Sequence, residues 1–282
     1  QLIKFLGLKQ VAIMRGVNKF FEPCWTRRFR LNLLPLRVPY DIETLDQAMR
    51  VIEILIDRKP GIPYSKEDPL VVKLDKGEHQ ITSSWADQYG VNLTTTLGIT
   101  RSNVTFVGKG IDNTTVLGGF GIHDLENITF KEMTVTNTSL SGVGIRMGNA
   151  KVKLFDISFR GCDFAGLSIP SYPSATTTVV ATHCEFANSA FGASVYGSLT
   201  SATFKNCVFN ANQYDGIFVS HKVTVHLRGE NTAIHSNKRD GICAYRSGKV
   251  IIHLPSHHNT SYNNGNEDRD TDGGGTITNV ED

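Results

Sequence analysis

Residues 192–217 read GASVYGSLTSATFKNCVFNANQYDGI, and the spacing inside this stretch decides the fold. It opens and closes on a Gly followed by an apolar residue, Gly192-Ala193 and Gly216-Ile217. Between them lie two trios with apolar first and third members, Ala202-Thr203-Phe204 and Cys207-Val208-Phe209, and then Asn212. Alternation with a period of two turns the outer members of each trio inward and the middle one outward. A unit this short cannot bury its apolar side alone, so it must stack on copies of itself.

Copies lie on both sides. The Gly-apolar pair recurs at Gly98, Gly121, Gly144, Gly166, Gly192, Gly216 and Gly241, at intervals of 22 to 26 residues. Trios of the same kind follow at Val104–Phe106, Ile128–Phe130, Val152–Leu154, Val223–Val225 and Val250–Ile252, and a third set at Met133–Val135, Ile157–Phe159 and Cys184–Phe186. Three short strands per coil predict an all-β chain, a parallel β-helix of the right-handed kind. Asn137, Asn188, Asn212, Asn237 and Asn263 fall just after the third strand, where Asn accepts a left-handed backbone, and they are expected to stack as an internal amide ladder. Cys184 and Cys207 fall on one rung of consecutive coils and read as stacked small core residues.

The composition agrees. The 282 residues include 40% apolar and 20% charged, with a net charge of +2 and 26 Gly against 4 Met. That is enough apolar material for a core, which excludes pervasive disorder, and the small net charge gives no bias toward nucleic acid. No uncharged apolar run reaches the length of a membrane span. Five cysteines without paired spacing read as free thiols in a reducing, cytoplasmic or nuclear setting. Six Asn-x-Ser/Thr triplets, at Asn92, Asn103, Asn113, Asn127, Asn137 and Asn259, are glycan acceptors if the chain is secreted. A start at Gln1 without an initiator Met or a recognisable signal peptide reads as a fragment or a processed form.

A stacked solenoid exposes its core at the end and needs a cap. Residues 43–58, ETLDQAMRVIEILIDR, place Leu45, Ala48, Met49, Ile52, Leu55 and Ile56 on one helical face, with Thr44 and Gln47 as a capping box. The run from Pro39 to Gly77, with Leu70–Leu74 as first strand, resembles the opening of pectin-lyase-like and pectinesterase-like β-helices. Residues 38–282 are therefore expected to form one β-helical domain. Residues 1–37 differ in character, carrying eight basic side chains against one acidic, a net +7 that reads as a solvated face. Two short helices are expected there. The stretch 5–25, FLGLKQVAIMRGVNKFFEPCW, resembles the C-terminal half of an F-box, through Leu6, Leu8, Val11, Val17, Phe20, Phe21 and Trp25. That resemblance implies a protein partner, a Skp-type adaptor of a ubiquitin ligase, bound through those residues. The alternative is that the helices only extend the cap.

Chemistry is sparse. Enzymes of the resembled families use clustered Asp with Arg, Lys or His in an outward groove to act on acidic polysaccharides, and none of their local signatures occurs here. The nearest constellation is Asp215 and Asp240, each just before a coil Gly and 25 residues apart, hence on neighbouring rungs. Such a pair can hold Ca²⁺ or share a proton, or can be plain Asp-Gly turn residues. His226 and His253 are expected to stack outward on adjacent coils, in a row with Lys131, Phe155, Thr182 and Lys205, as a two-ligand metal pair or as solvated imidazoles. No third ligand follows from the spacing, so no metal and no cofactor are assigned, and neither nucleic acid nor membrane is expected as a partner. The expectation is a non-enzymatic protein-binding scaffold, the substrate-recognition part of an F-box adaptor. The alternative is a secreted carbohydrate-active β-helix enzyme, lyase- or hydrolase-like, with Asp215, Asp240, His226 and His253 as substrate- or ion-binding candidates.

Overall fold

The computed structural model describes residues 35–56, 65–170, 175–254 and 260–281, and in it the strands wind into a parallel β-helix. One sheet runs from Leu36–Val38 through Leu70–Leu74, Val104–Val107, Ile128–Thr136, Lys151–Arg160, Thr177–Thr182, Thr200–Lys205, Thr224–Arg228 and Lys249–Leu254 to Thr276–Glu281. A second sheet of eight strands runs from Thr96–Ile99 to Arg269–Asp272 along the Gly-apolar repeat, with one correction: Gly98 and Gly121 are in register with each other, but Gly121 lies opposite Arg146 rather than Gly144, a two-residue offset. The short third strands Glu185–Ala187, Val208–Asn210 and Ala233–His235 pair edge to edge beside the first sheet. The expected all-β solenoid is present. Among the described residues the one α-helix is the cap.

Single residues make the corners. Glu132, Asp156, His183 and Asn206 turn the chain between second and third strands with φ of 52 to 56°, the left-handed conformation that swings the backbone in one step. After the third strand the left-handed residues are Asn188, Ala211, Ser236 and Asn263. The ladder lies one position later, at Ser189, Asn212, Asn237 and Asn264. Asn212 Nδ2 donates to Asn237 Oδ1 at 2.8 Å, Asn237 Nδ2 to Asn264 Oδ1 at 2.9 Å, and Asn212 Oδ1 accepts from Ser189 N at 3.1 Å. Asn137 occupies the same inner position and is 1% exposed. The anticipated ladder thus splits into two roles. One residue bends the backbone, and the next satisfies the buried backbone groups that the bend uncovers.

Inside, side chains on facing rungs stack. Phe159, Phe186 and Phe209 align in register, with ring centroids 5.1 and 4.6 Å apart. Phe106 and Phe130 repeat the arrangement at 5.1 Å. Cys184 and Cys207 are buried beside this column, and burial followed by the neighbouring Cys207 pushes the Cys184 thiol up.

The helix Leu45–Ile56 closes the end, burying Leu45, Ala48, Met49 and Ile52. Thr44 Oγ1 accepts from Gln47 N at 3.2 Å, and the Asp46 carboxylate accepts from Thr82 N and Ser83 N at 3.2 and 3.0 Å, tying the cap to the first coil. Leu36–Val38 pairs with Val72–Leu74 in parallel. The residues read as F-box-like, Leu6, Leu8, Val11, Val17, Phe20, Phe21 and Trp25, lie outside the described residues.

Candidate functional site

Successive outward positions of the eight-stranded sheet are brought into one row by strand register: Arg146, Ser168, Ser194, Phe218, Cys243 and Asp270. The cap end of this face is covered. The hairpin of Trp85–Ala86 and Asn92–Leu93 lays the Trp85 indole on Gly98 and Gly121, where any Cβ would collide with the ring. Asp87, from the same hairpin, accepts from Arg146 Nη2 at 2.7 Å, with its side chain 4% exposed. Burial by itself raises its pKa, but hydrogen bonds from Arg146, Val91 N and Tyr89 N, with the Arg146 charge, hold it below the ordinary carboxylate value.

Beyond the hairpin the face is lined with rings. Ser168 and Ser194 form a low floor, and around them stand Phe164, Phe191, Tyr196, Tyr214, Phe218 and Tyr245, none of them fully buried. Centroid separations of 5.1 to 6.5 Å join these six into one patch running along the solenoid axis. Arg246 sits 5.1 Å over the Tyr245 ring, and the His221 ring lies 5.8 Å from that of Tyr196. This patch escaped the sequence reading. Its signal is present in the repeat all the same, with Phe191 just before a coil Gly, Phe218 two residues after one, and Tyr196 and Tyr245 four after.

Asp215 and Asp240 meet next to the patch. Asp240 N donates to Asp215 Oδ1 at 3.2 Å, and Glu267 N to Asp240 Oδ1 at 3.2 Å, so each coil's backbone caps the carboxylate of the coil before. Arg239 Nε lies 3.2 Å from Asp240 Oδ2 and 3.6 Å from Asp215 Oδ1. The two carboxyls are buried, at 0% and 3% exposure, rather than open to solvent as a substrate-contacting pair requires. Burial, with the Asp240 carboxylate adding to it, lifts the Asp215 pKa to about 6 against the opposing Asp240 N–H and Arg239. Cys243 Sγ is 3.4 Å from Asp270 Oδ2, and burial followed by the surrounding carboxylates pushes its thiol up to about 12. One donor atom from each of Asp215, Asp240 and Cys243 falls within a 4.8 Å cluster.

His226 and His253 lie apart from this site, on the first sheet. They do touch, Nδ1 to Nε2 at 2.9 Å, but not as row neighbours. His226 is in register with Thr203 and Ile251, and the row of Lys131, Phe155, Thr182 and Lys205 continues into Arg228, so the two imidazoles meet on a diagonal. The expected single row is corrected by this two-residue offset. Burial, then His253 and Arg228, lower the His226 pKa.

A family model described as "Right handed beta helix region" matches residues 79–232, more than half of the chain. No curated protein matches it. Among solved structures, ORF18 of Geobacillus virus E2 is 11% identical with a TM-score of 0.47, over 83% of this chain and 57% of that one. The tailspike protein gp49 of Acinetobacter baumannii bacteriophage Fri1, a capsular polysaccharide depolymerase, is 11% identical with a TM-score of 0.40, over 88% and 56%. The A-module of Azotobacter vinelandii mannuronan C-5 epimerase AlgE4 is 14% identical with a TM-score of 0.33, over 65% and 67%. The chain therefore spans little more than half of the two viral proteins, and at these identities the likeness concerns the fold alone. The expectation of a non-enzymatic protein-binding scaffold in a ubiquitin-ligase adaptor is corrected here. The family that matches is a β-helix family, and the match lies wholly within the β-helix, with no adaptor-binding segment in it. Of the six rings Tyr214 is exposed and the other five are half-buried.

Proposed function

The chain belongs to the right-handed β-helix family, and from that premise we propose that it is a carbohydrate-active β-helix holding an extended polysaccharide along the outward face of its eight-stranded sheet. The observation that carries this reading is the patch of Phe164, Phe191, Tyr196, Tyr214, Phe218 and Tyr245. Pyranose rings present apolar C–H faces that pack on aromatic faces, while their hydroxyls seek polar groups at the edge. Parallel strands repeat at about 4.8 Å, close to the length of one sugar unit, so a chain laid along the axis meets one rung per residue. Arg246 and the exposed Lys222 at one margin favour a carboxylated chain. Asp215, wholly buried, does not touch a chain lying on the rings. A secreted location goes with this reading.

The test is affinity electrophoresis in gels containing polygalacturonate, alginate or a neutral glucan. Retardation by an acidic polysaccharide is expected, falling about tenfold in affinity, or ~1.4 kcal/mol, for Tyr214→Ala or Phe218→Ala with unchanged melting curves. Absence of retardation in every gel, or equal retardation of both variants and the original, overturns the reading.

A further inference from the structure

Beside the ring patch the fold concentrates negative charge that its own cations do not balance. Asp215, Asp240 and Asp270 bring three carboxyl groups around Cys243, while Arg239 is the cation within ion-pair distance of the pair among the described residues. Taken as ionised, the groups leave two negative charges, with Asp215 and Asp240 shut from water and Asp270 half-buried. A second, independent feature points to a missing partner. Asp215 is 0% exposed, and its Oδ2 has no hydrogen-bond partner although Oδ1 is engaged by Asp240 N. An unsatisfied carboxylate oxygen in such a place is strongly disfavoured unless a proton or a cation meets it.

From this geometry we infer that Asp215, Asp240 and Cys243 form a site for a divalent transition-metal ion of the zinc type, with Asp270 or solvent as fourth ligand. A thiol among the donors argues against calcium or magnesium, which take oxygen, and favours a borderline-soft ion. The charge of the ion offsets the two negative charges, and its bond to sulfur supplies the drive for deprotonating a thiol that otherwise stays protonated. The three donors are looser than a closed zinc shell, whose bonds of about 2.0–2.3 Å put ligand atoms roughly 3.5 Å apart, so binding draws them inward. The ion clamps the coil that carries Tyr214 to the coil that carries Tyr245, which makes it a brace beneath the ring patch. The inference does not depend on what the patch binds.

The test uses the whole chain, stripped with a chelator and dialysed. Co²⁺ is expected to produce a near-ultraviolet thiolate-to-metal charge-transfer band at one equivalent. Zn²⁺ at about a hundredfold over its dissociation constant is expected to raise the melting temperature by roughly 5 °C or more. Cys243→Ser should abolish the band and Asp215→Asn both effects, while Cys162→Ala, distant from the cluster, keeps both. Neither band nor shift in the unaltered chain overturns the site and leaves a proton shared by the two carboxyls. A band that survives Cys243→Ser overturns it as well, since the ion then sits on another thiol.

Discussion

Asn212 donates its side-chain amide to Asn237 Oδ1 across 2.8 Å, from one coil to the next, with both side chains shut from solvent. Asn237 also accepts from Asn212 N and donates to Asn264 Oδ1 and to the Phe209 carbonyl. A buried amide that serves four backbone and side-chain partners cannot be removed cheaply, because each orphaned group keeps its full desolvation cost. Asn237→Ala is expected to lower stability by about 3 kcal/mol or more in urea melts. A loss under about 1 kcal/mol would show that water replaces the amide inside the solenoid.

Phe204 tests the core rather than the corner. It is 0% exposed, with ring centroids 5.6 and 5.0 Å from Phe186 and Phe209, both edge-on. Stacked rungs cannot collapse sideways without breaking the ladder on either side, so truncation leaves most of its cavity open. Phe204→Ala should cost roughly 3 to 5 kcal/mol, read from the midpoint of denaturant unfolding. A near-neutral result contradicts the packing.

The hairpin clamp has a pH signature. The pKa of Asp87 is lowered in the folded chain, where its hydrogen bonds and Arg146 outweigh the effect of burial. The unfolded chain therefore binds more protons in the window between the folded value and about 3.9, and stability rises with pH across it. The contribution is complete above that window and is lost as pH falls through it. Asp87→Asn strands Arg146 and should cost about 3 kcal/mol at neutral pH, with the gap from the unaltered chain narrowing below about pH 4. A gap that stays constant down to pH 2, an experimental limit of about that value, would mean that Asp87 is not the ionised partner of Arg146.

Much of the molecule follows from local pattern. Ala202-Thr203-Phe204 and its counterparts alternate as the sequence predicts, because inward and outward are decided by a period of two alone. Gly192, Gly216 and Gly241 mark the coils because neighbouring backbone and side-chain atoms leave no room for a Cβ there. The proximity of Asp215 to Asp240 also follows, since both precede a coil Gly. Register does not follow. A slip of two residues preserves every inward and outward assignment, so Val223-Thr224-Val225 and Val225-His226-Leu227 are equally good trios, and pairing with Ala202–Phe204 selects the second. That selection moved His226 out of line with His253. The ladder fell to Ser189 and Asn264 for a different reason: Asn188 and Asn263 take the left-handed backbone of the corner, and the residue after each faces inward. The ring patch and the burial of Asp215 depend on which outward face stays uncovered. Only the docking of the Trp85 hairpin over Gly98 and Gly121, and the packing of coil on coil, decide that, because contacts between segments far apart in the chain leave no periodicity in it.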